Sequence, residues 1–260
     1  MSGMVHLPWR GRDIYLLVKD GCLMRHNLTV TVIALLAALA MPAISGQNLS
    51  AQNSSSAQYF SDQGDRYFLS GDFNNAVLSY DRALELEPNS TELWNNRGKA
   101  LANLGDIDEA ISCFDKSLSI DSANLEALNL KATALSQGQK RYDEAIVIYD
   151  QILQMDPNYF DAWIGKGMAL ANQGNIYSSL QCFNKATEVK PEDPAGWNNK
   201  GVVLREMGRY QDALTCFNKA LTLDMSYETA RLNREYTLQD MDGGSAGSTS
   251  SPSQSTTSML

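Results

Sequence analysis

Large apolar, small and aromatic side chains recur along this chain at a spacing of 34 residues. Trp163 and Trp197 are 34 apart, as are Gly167 and Gly201, and a step of 69 back from Trp163 reaches Trp94. Because 69 is twice 34 plus one, the unit between them holds one extra residue. The recurrence defines five units, 57–90, 91–124, 125–159, 160–193 and 194–227. A period of this length is typical of an array of helical repeats.

Each unit carries two apolar stripes with the period of an α-helix. Positions 4, 8 and 11 of a unit share one helical face, and positions 20, 24 and 27 share another. Small residues at 8 and 20 allow two antiparallel helices to approach closely, and large residues at 4, 11 and 24 fill the volume between them. We therefore predict a helical hairpin in every unit.

Glycine and proline mark the predicted helix ends. Pro88, Pro157 and Pro191 are expected to end the second helices of their units. A left-handed glycine is expected after each first helix of four units, at Gly71, Gly105, Gly174 and Gly208, and Gly138 is expected in that role in the third unit.

The pattern resembles the tetratricopeptide repeat family, in which position 4 is large, positions 8, 20 and 27 are small and position 24 is aromatic. The first unit has Phe60, Gly64, Ala76, Tyr80 and Ala83 at these positions. The resemblance covers 57–227 and implies an all-α fold, a right-handed superhelical solenoid of five helix-turn-helix repeats. One repeat cannot bury its own apolar face, so stacking of repeats supplies the stability.

The end of the stack requires a helix that shields the last repeat from water. We predict this C-terminal capping helix at 228–240, with Leu232 and Tyr236 toward the core. Residues 241–260 are rich in Ser and Thr, and we predict a disordered tail there.

The resemblance also implies a ligand surface, because the first helices of such repeats line a concave side that binds extended peptides or helices of partner proteins. Asparagine recurs there, and its amide can pair with the main chain of an extended peptide. Ile164, Met168 and Val202 form an apolar patch that either anchors a ligand or packs against neighbouring helices. The expected peptide-binding residues are Asn95, Lys99, Asn103, Asn129, Thr133, Ile164, Met168, Asn172, Asn198, Val202 and Arg205.

One branch of the family holds acidic C-terminal tails of chaperones in a carboxylate clamp. That clamp requires Lys, Arg and Asn at set positions of three successive repeats. Asn96 alone fits here, so we expect a different ligand.

The N-terminal part has no repeat and carries a different pattern. Residues 28–45 are apolar and uncharged, Arg25 precedes them, and small residues and Pro42 close the run. Residues 24–46 are therefore predicted to be a cleaved signal peptide or a membrane anchor, with a buried core helix as a third interpretation. Either export signal places the repeats outside the membrane, secreted or tethered through 28–45. Met24 fits a start codon, which would make residues 1–23 an upstream mis-annotated segment.

A polar stretch separates this run from the repeats. We predict that 47–56 is a spacer. Asn48, Asn53 and Asn89 begin glycosylation sequons, which export would make available, although such triplets also arise by chance in Asn/Ser-rich sequence.

Composition excludes several classes of function. The net charge is −9 without a basic stripe, so no nucleic acid is expected as a partner. The two histidines, His6 and His26, precede the repeats, which removes the usual general base and histidine metal ligands from them. No cysteine pair has CxxC spacing. We expect no catalytic residue, no metal site and no cofactor.

Cys113, Cys182 and Cys216 all occupy position 23 of their repeats. We expect them to be unbridged, because equivalent positions of adjacent repeats lie about 10 Å apart, whereas a disulfide needs alpha carbons within about 7 Å. Three free thiols would be unusual in an oxidising compartment.

These observations together predict a non-catalytic scaffold that binds a peptide or helix of a partner protein. The alternative is a repeat protein that self-associates into a structural assembly at the cell surface.

Overall fold

The computed structural model describes residues 54–243. The predictions for the upstream segment 1–23, the signal or anchor 24–46, the sequons Asn48 and Asn53, and the tail beyond 243 lie outside the described residues. The third sequon residue, Asn89, is exposed in the turn between the first two hairpins.

The described residues form five helical hairpins and one closing helix. The first helices of the hairpins are α1 (54–69), α3 (Thr91–Leu104), α5 (Leu125–Thr133), α7 (Phe160–Asn172) and α9 (Pro194–Glu206). The second helices are α2 (Phe73–Leu86), α4 (Ile107–Ile120), α6 (Tyr142–Met155), α8 (Ile176–Val189) and α10 (Tyr210–Leu223), and α11 (Glu228–Gly243) follows them. Each helix packs on the next in chain order, so the predicted all-α superhelical solenoid with a closing helix is confirmed.

Close packing inside each hairpin depends on the small residue at position 8 of its first helix. A Cβ atom built on Gly98 would lie 2.4 Å from Cε1 of Phe114, the aromatic residue at position 24 of the same repeat. Gly64, Gly167 and Gly201 stand in the same relation to the rings of Tyr80, Phe183 and Phe217. The rings are almost fully buried, and they can reach this depth because no side chain occupies position 8.

Tryptophan at position 4 joins three of the hairpins, those of the second, fourth and fifth repeats, to the hairpin before each of them. Nε1 of Trp94 donates a hydrogen bond to the carbonyl oxygen of Pro88 at 2.9 Å, and Trp163 and Trp197 donate to Pro157 and Pro191 at 2.8 Å. The three prolines lie just beyond the ends of α2, α6 and α8, as predicted. The three tryptophans therefore occupy equivalent environments, as a true repeat requires.

A series of ion pairs also joins successive repeats. The base at position 7 of one repeat meets the aspartate at position 25 of the repeat before it, in the pairs Arg97–Asp81 at 2.6 Å, Lys131–Asp115 at 2.6 Å and Lys166–Asp150 at 2.5 Å. These pairs are partly exposed, so each contributes only about 0.2–1 kcal/mol. The next residue in this register is Asn184, and Lys200 lies 5.3 Å from the ring centre of Trp197 instead.

The extra residue of the third repeat produces a local irregularity. A π-helical turn at Ala134–Gly138 continues α5 and absorbs the insertion. The four predicted left-handed glycines are confirmed, but Gly138 is not left-handed, and Lys140 takes the positive φ of 56° in this repeat. Gly138 serves close approach, because a Cβ atom there would lie 2.6 Å from Cγ2 of Ile107.

Both ends of the array differ from the predicted bounds. Residues 54–56 are already helical rather than part of the spacer, and α11 extends to Gly243. Of the predicted inward residues of α11, Leu232 is half-buried, and Tyr236 is 43% exposed although its ring lies beneath the Arg205 guanidinium; Ala230 and Thr237 are fully buried.

The outer side of α11 explains how the array ends. Where the repeats carry a tryptophan and a glycine at positions 4 and 8, α11 has Arg231 and Glu235. Arg231 forms an ion pair with Glu228, and its Nη1 lies 3.9 Å from a Glu235 carboxylate oxygen. Charged side chains at these positions leave no room for a further second helix and face water instead.

Substitution of Gly98 by alanine tests the close approach within a hairpin. We expect Gly98→Ala to lower the free energy of unfolding by about 1–3 kcal/mol, because the new methyl group overlaps the Phe114 ring. Gly196→Ala is the matched control in another first helix, since its Cβ would meet Thr187 at an ordinary 3.4 Å. The control should leave stability unchanged or raise it by up to about 1 kcal/mol. Equal effects of the two changes in thermal or urea unfolding would contradict the packing argument.

Candidate functional site

Successive first helices contact one another along one side of the array. Helix α3 packs on α5, α5 on α7, α7 on α9, and α9 on α11. The family places positions 2, 5, 9, 12 and 13 of these helices on its concave side. From these positions we define the inner surface by the following residues: Ser61, Asp65, Phe68, Leu69, Glu92, Asn95, Lys99, Asn103, Glu126, Asn129, Thr133, Gln137, Asp161, Ile164, Met168, Asn172, Asn198, Val202, Arg205 and Glu206.

In the second and third repeats, predicted peptide-binding residues already contact one another. Lys99 Nζ lies 3.2 Å from a carboxylate oxygen of Glu126 and so joins α3 to α5. Asn103 is exposed, and its Nδ2 donates to the main-chain oxygen of Lys99 at 2.8 Å. Thr133 Oγ1 lies 3.2 Å from the Tyr149 hydroxyl, a hydrogen bond in which either oxygen can donate. A ligand at these residues would compete with weak, partly exposed internal contacts.

The asparagines at position 5 are less accessible than predicted. Asn95 is 1% exposed, and neither its Oδ1 nor its Nδ2 has a hydrogen-bond partner. The prediction that Asn95 lies on an open surface is therefore wrong. Asn129 is half-buried, and its Oδ1 is likewise buried without a partner. A buried polar group without a partner costs about 1–3 kcal/mol, so these amides have unused capacity for hydrogen bonds.

Asn198, at the same position of the fifth repeat, is satisfied by the closing helix. Asn233 Nδ2 donates to Asn198 Oδ1 at 2.9 Å. Arg205 is also engaged by α11, because its Nε lies 2.6 Å from an Asp240 carboxylate oxygen and its guanidinium lies over the ring of Tyr236. These two predicted residues therefore hold α11 in place. Their use by a ligand would require displacement of those contacts.

The predicted apolar patch lies on α7 and α9. Ile164, Met168 and Val202 are each half-buried, which agrees in part with both interpretations of the patch. Val202 packs against the core cluster that contains Leu204 and Phe217. Asn172 is exposed at the end of α7. The patch therefore presents apolar surface to solvent while its inner side supports the hairpins.

One carboxyl group of the inner surface, that of Glu206, is affected by burial. Burial by the surrounding chain raises the pKa of the Glu206 carboxyl, with a smaller opposing effect of Arg205. The Glu206 side chain nevertheless reaches solvent. A carboxylate that is both accessible and flanked by protein is expected on a concave surface, where water is partly replaced by neighbouring atoms.

A second depression, which the sequence did not indicate as a site, lies between α4 and α6. Its volume is about 390 Å³. Its apolar surface comes from Ile111, Leu135, Val147 and Ile148, and its charged groups are the ion pairs Lys131–Asp115 and Arg141–Glu144. It lies beside the π-helical turn of α5. The extra residue of the third repeat is the sequence signal that coincides with it.

The thiols at position 23 are buried and unbridged. Burial raises the pKa of Cys182 to about 11, and it also raises the pKa of Cys113 and Cys216. Arg97 Nη1 donates a hydrogen bond to Cys113 Sγ at 3.0 Å. Because the thiolate is the reactive form, these cysteines are suited to packing rather than to chemistry.

Residues 54–243 contain neither a cluster suited to a metal ion nor a helix suited to a membrane. No cluster of three or more Asp, Glu, His or Cys side chains there could hold a metal ion. Within the same range, every helix is too short or too polar to cross a membrane.

Sequence models of one family match most of the repeat region. One described as TPR repeat matches 64–105, one described as Tetratricopeptide repeat matches 91–124 and 194–224, and another of that description matches 136–200. Together they cover more than half of the chain, which belongs to the tetratricopeptide repeat family. Repeats of this family build scaffolds for protein–protein interaction, and this is the class of protein that the fold defines.

A curated relative matches over a short stretch. Superkiller protein 3 of Schizosaccharomyces pombe is 36% identical over 59 residues, which are 23% of this chain and 4% of that protein. The chain thus spans a small part of that relative, and the similarity is one of repeats.

Several solved structures share the fold. A thermophilic TPR protein of Thermus thermophilus has a TM-score of 0.62 at 17% identity, covering 70% of this chain and 99% of that one. MamA of Desulfovibrio magneticus has a TM-score of 0.56 at 23% identity, covering 66% and 97%. YrrB, described as a TPR protein with an unusual peptide-binding site, has a TM-score of 0.51 at 22% identity, covering 68% and 90%. At these identities the likeness shows the fold alone.

Chemical labelling tests the state of the three buried thiols. The experiment uses the Cys22→Ser variant, so that only Cys113, Cys182 and Cys216 can react. At pH 8 a thiol whose pKa is about 11 is about 0.1% ionised. We therefore expect the three thiols to react with a disulfide reagent far more slowly than a free thiol. Addition of guanidinium chloride should expose all three at once. Fast labelling of the folded protein, with circular dichroism unchanged, would contradict the burial of these side chains.

Proposed function

We propose that this chain is a non-catalytic scaffold that binds a peptide or a helix of a partner protein on its inner surface. One observation supports this most strongly. Ile164, Met168 and Val202 present half-buried apolar surface, and unpartnered amide groups of Asn95 and Asn129 lie in the neighbouring repeats. An apolar anchor with polar groups around it is the arrangement that carries most of the affinity in protein interfaces.

The residues expected to contact the partner follow from their present contacts. Lys99, Asn103, Asn129, Thr133, Ile164, Met168, Asn172 and Val202 remain in the proposed site. Asn198 and Arg205 are assigned to α11 instead, and Asn95 lies beneath the surface.

Export is the second part of the proposal. The apolar run 28–45 after Arg25 would carry the repeats across a membrane and either be cleaved or remain as a tether. The scaffold would then act outside the membrane, on a partner that is itself exported or on the cell surface.

Self-association is the alternative function. Stacking end to end would bring the polar outer side of α11, with Arg231 and Glu235, against another copy. Helix α1 carries exposed Tyr59 and Arg66 where later repeats have buried small or apolar residues such as Ala127 and Ala134. Polar and bulky ends favour a capped monomeric array over a continuing stack.

A capture experiment with the full chain tests the binding site. We expect Ile164→Glu/Val202→Glu to lose the partner that crosslinking captures with the unchanged protein, because two charges would replace the apolar anchor. Leu78→Glu/Tyr177→Glu is the matched control, since both residues are exposed apolar side chains on second helices. Circular dichroism confirms that each variant folds. Retention of the same partner by the first variant would remove the patch from the site.

Fractionation of the native host tests export. We expect the repeats to be digested by protease added to intact cells, and alkaline carbonate extraction to distinguish a tethered form from a released one. Protection of the repeats until the cells are lysed would contradict the proposal.

A further inference from the structure

The acidic residues at position 2 form a row along the first helices. Glu92, Glu126 and Asp161 occupy this position in three successive repeats, and all three side chains are exposed. We call them the acidic ladder. Adjacent first helices lie about 10 Å apart, so the three carboxylates are spaced at about that interval.

Few positive charges of the described chain compete for this ladder. Within 54–243, no base lies in ion-pair distance of Glu92 or Asp161, and Lys99 reaches Glu126 at 3.2 Å. Arg205, the other base of the inner surface, is held by Asp240. The ladder therefore leaves a negative stripe at one edge of the inner surface.

Asparagine side chains one helical turn further along the same helices are a second, independent feature. Asn95 follows Glu92 by three residues, and Asn129 follows Glu126 by three. Asn95 is 1% exposed with both polar side-chain atoms unpartnered, and Asn129 has an unpartnered buried Oδ1. Asn198, the corresponding residue of the fifth repeat, has its partner in Asn233. The second repeat thus combines a free carboxylate with an unpartnered amide, and the third combines a carboxylate that Lys99 reaches with an unpartnered amide oxygen.

The acidic ladder also has a local role in helix stability, which the experiment must distinguish from a role in ligand binding. Each lies in the first turn of its helix, where a negative charge interacts favourably with the helix dipole. This role applies equally to Glu109, Glu144 and Asp212, which lie in the first turns of second helices. Those residues lie on another row of helices and are suitable controls.

Resting on the proposed binding role of the inner surface, we propose that the segment it accepts is a basic, extended polypeptide with lysine or arginine at about every third residue. A polyproline II chain advances about 3.1 Å per residue and has three residues per turn, so every third side chain lies on the same side at intervals that match the spacing of the ladder. The basic side chains pair with Glu92, Glu126 and Asp161. The peptide main chain lies along the asparagine side of the helices, toward Ile164 and Met168.

The test uses fluorescein-labelled peptides of twelve residues and the full chain in a neutral detergent. One peptide repeats Lys-Ser-Gly, and its partner repeats Glu-Ser-Gly. At about 0.05 M salt we expect the lysine peptide to bind at least about tenfold more tightly, and the preference to shrink at about 0.5 M salt as the Debye length falls.

Two matched variants assign the preference to the ladder. Glu92→Gln/Glu126→Gln/Asp161→Asn should weaken binding of the lysine peptide about tenfold, whereas Glu109→Gln/Glu144→Gln/Asp212→Asn should change it by about twofold or less. Both remove the same charge from first turns of helices, so general attraction to an acidic protein affects them equally. Circular dichroism and thermal unfolding confirm that both variants fold.

The outcomes separate this inference from the proposed scaffold function. Equal affinity for the two peptides, or equal losses in the two variants, overturns the basic-ligand inference. If Ile164→Glu/Val202→Glu still abolishes capture of the native partner in that case, the scaffold function stands with a ligand of another chemistry. A captured partner whose bound segment is acidic would also overturn the inference.

Discussion

Contact between an aromatic ring and a helix that lacks a side chain at the facing position underlies the whole array. In four of the five repeats, position 8 is glycine, and the position-24 ring fills the space that a Cβ atom would occupy. The third repeat has Ala132 at position 8, and Tyr149 lies instead against Gly165 of the following repeat. Four hairpins are therefore closed by their own ring, the ring of the third packs on the following repeat, and the hairpins stack through nearest-neighbour contacts.

Hydrogen bonds and ion pairs between successive repeats supplement this packing, outside the apolar core. The tryptophan indoles donate to proline carbonyls, and the bases at position 7 meet aspartates of the preceding repeat. These contacts fix how one hairpin sits on the next, and they lie away from positions 2, 5, 9, 12 and 13. Some inner-surface groups also serve the stack, because Glu126 pairs with Lys99 of the preceding repeat and Asn198 accepts a hydrogen bond from Asn233 of α11.

Predictions that depended on local sequence agree with the structure, and those that depended on neighbouring repeats agree less well. The glycines Gly71, Gly105, Gly174 and Gly208 are left-handed because the adjacent turn requires a positive φ. Gly138 resembles them in sequence, yet the insertion is absorbed by a π-helical turn and the positive φ moves to Lys140. A periodic pattern locates an inserted residue but does not say which hydrogen bonds absorb it.

The candidate site shows the same division. Asn95 and Asn198 occupy the same register, but the residue 35 positions after Asn198 is Asn233, whereas the residue 35 after Asn95 is Leu130. One amide is consequently satisfied and the other is not. Leu232 and Tyr236 of α11 follow an apolar spacing, yet Ala230 and Thr237 are the residues that face the array, because a closing helix presents only the side that contacts the preceding repeat.

The sequence alone determined the period, the helical hairpins and the residues at their closest approach, because each depends on residues within one repeat. It also located the acidic and amide groups of the inner surface by position. Only the tertiary structure decided which of those groups are free, since that depends on side chains supplied by the next helix in the stack. Arg205 and Asn198 are bound by α11, whereas within 54–243 no base lies in ion-pair distance of Glu92 or Asp161.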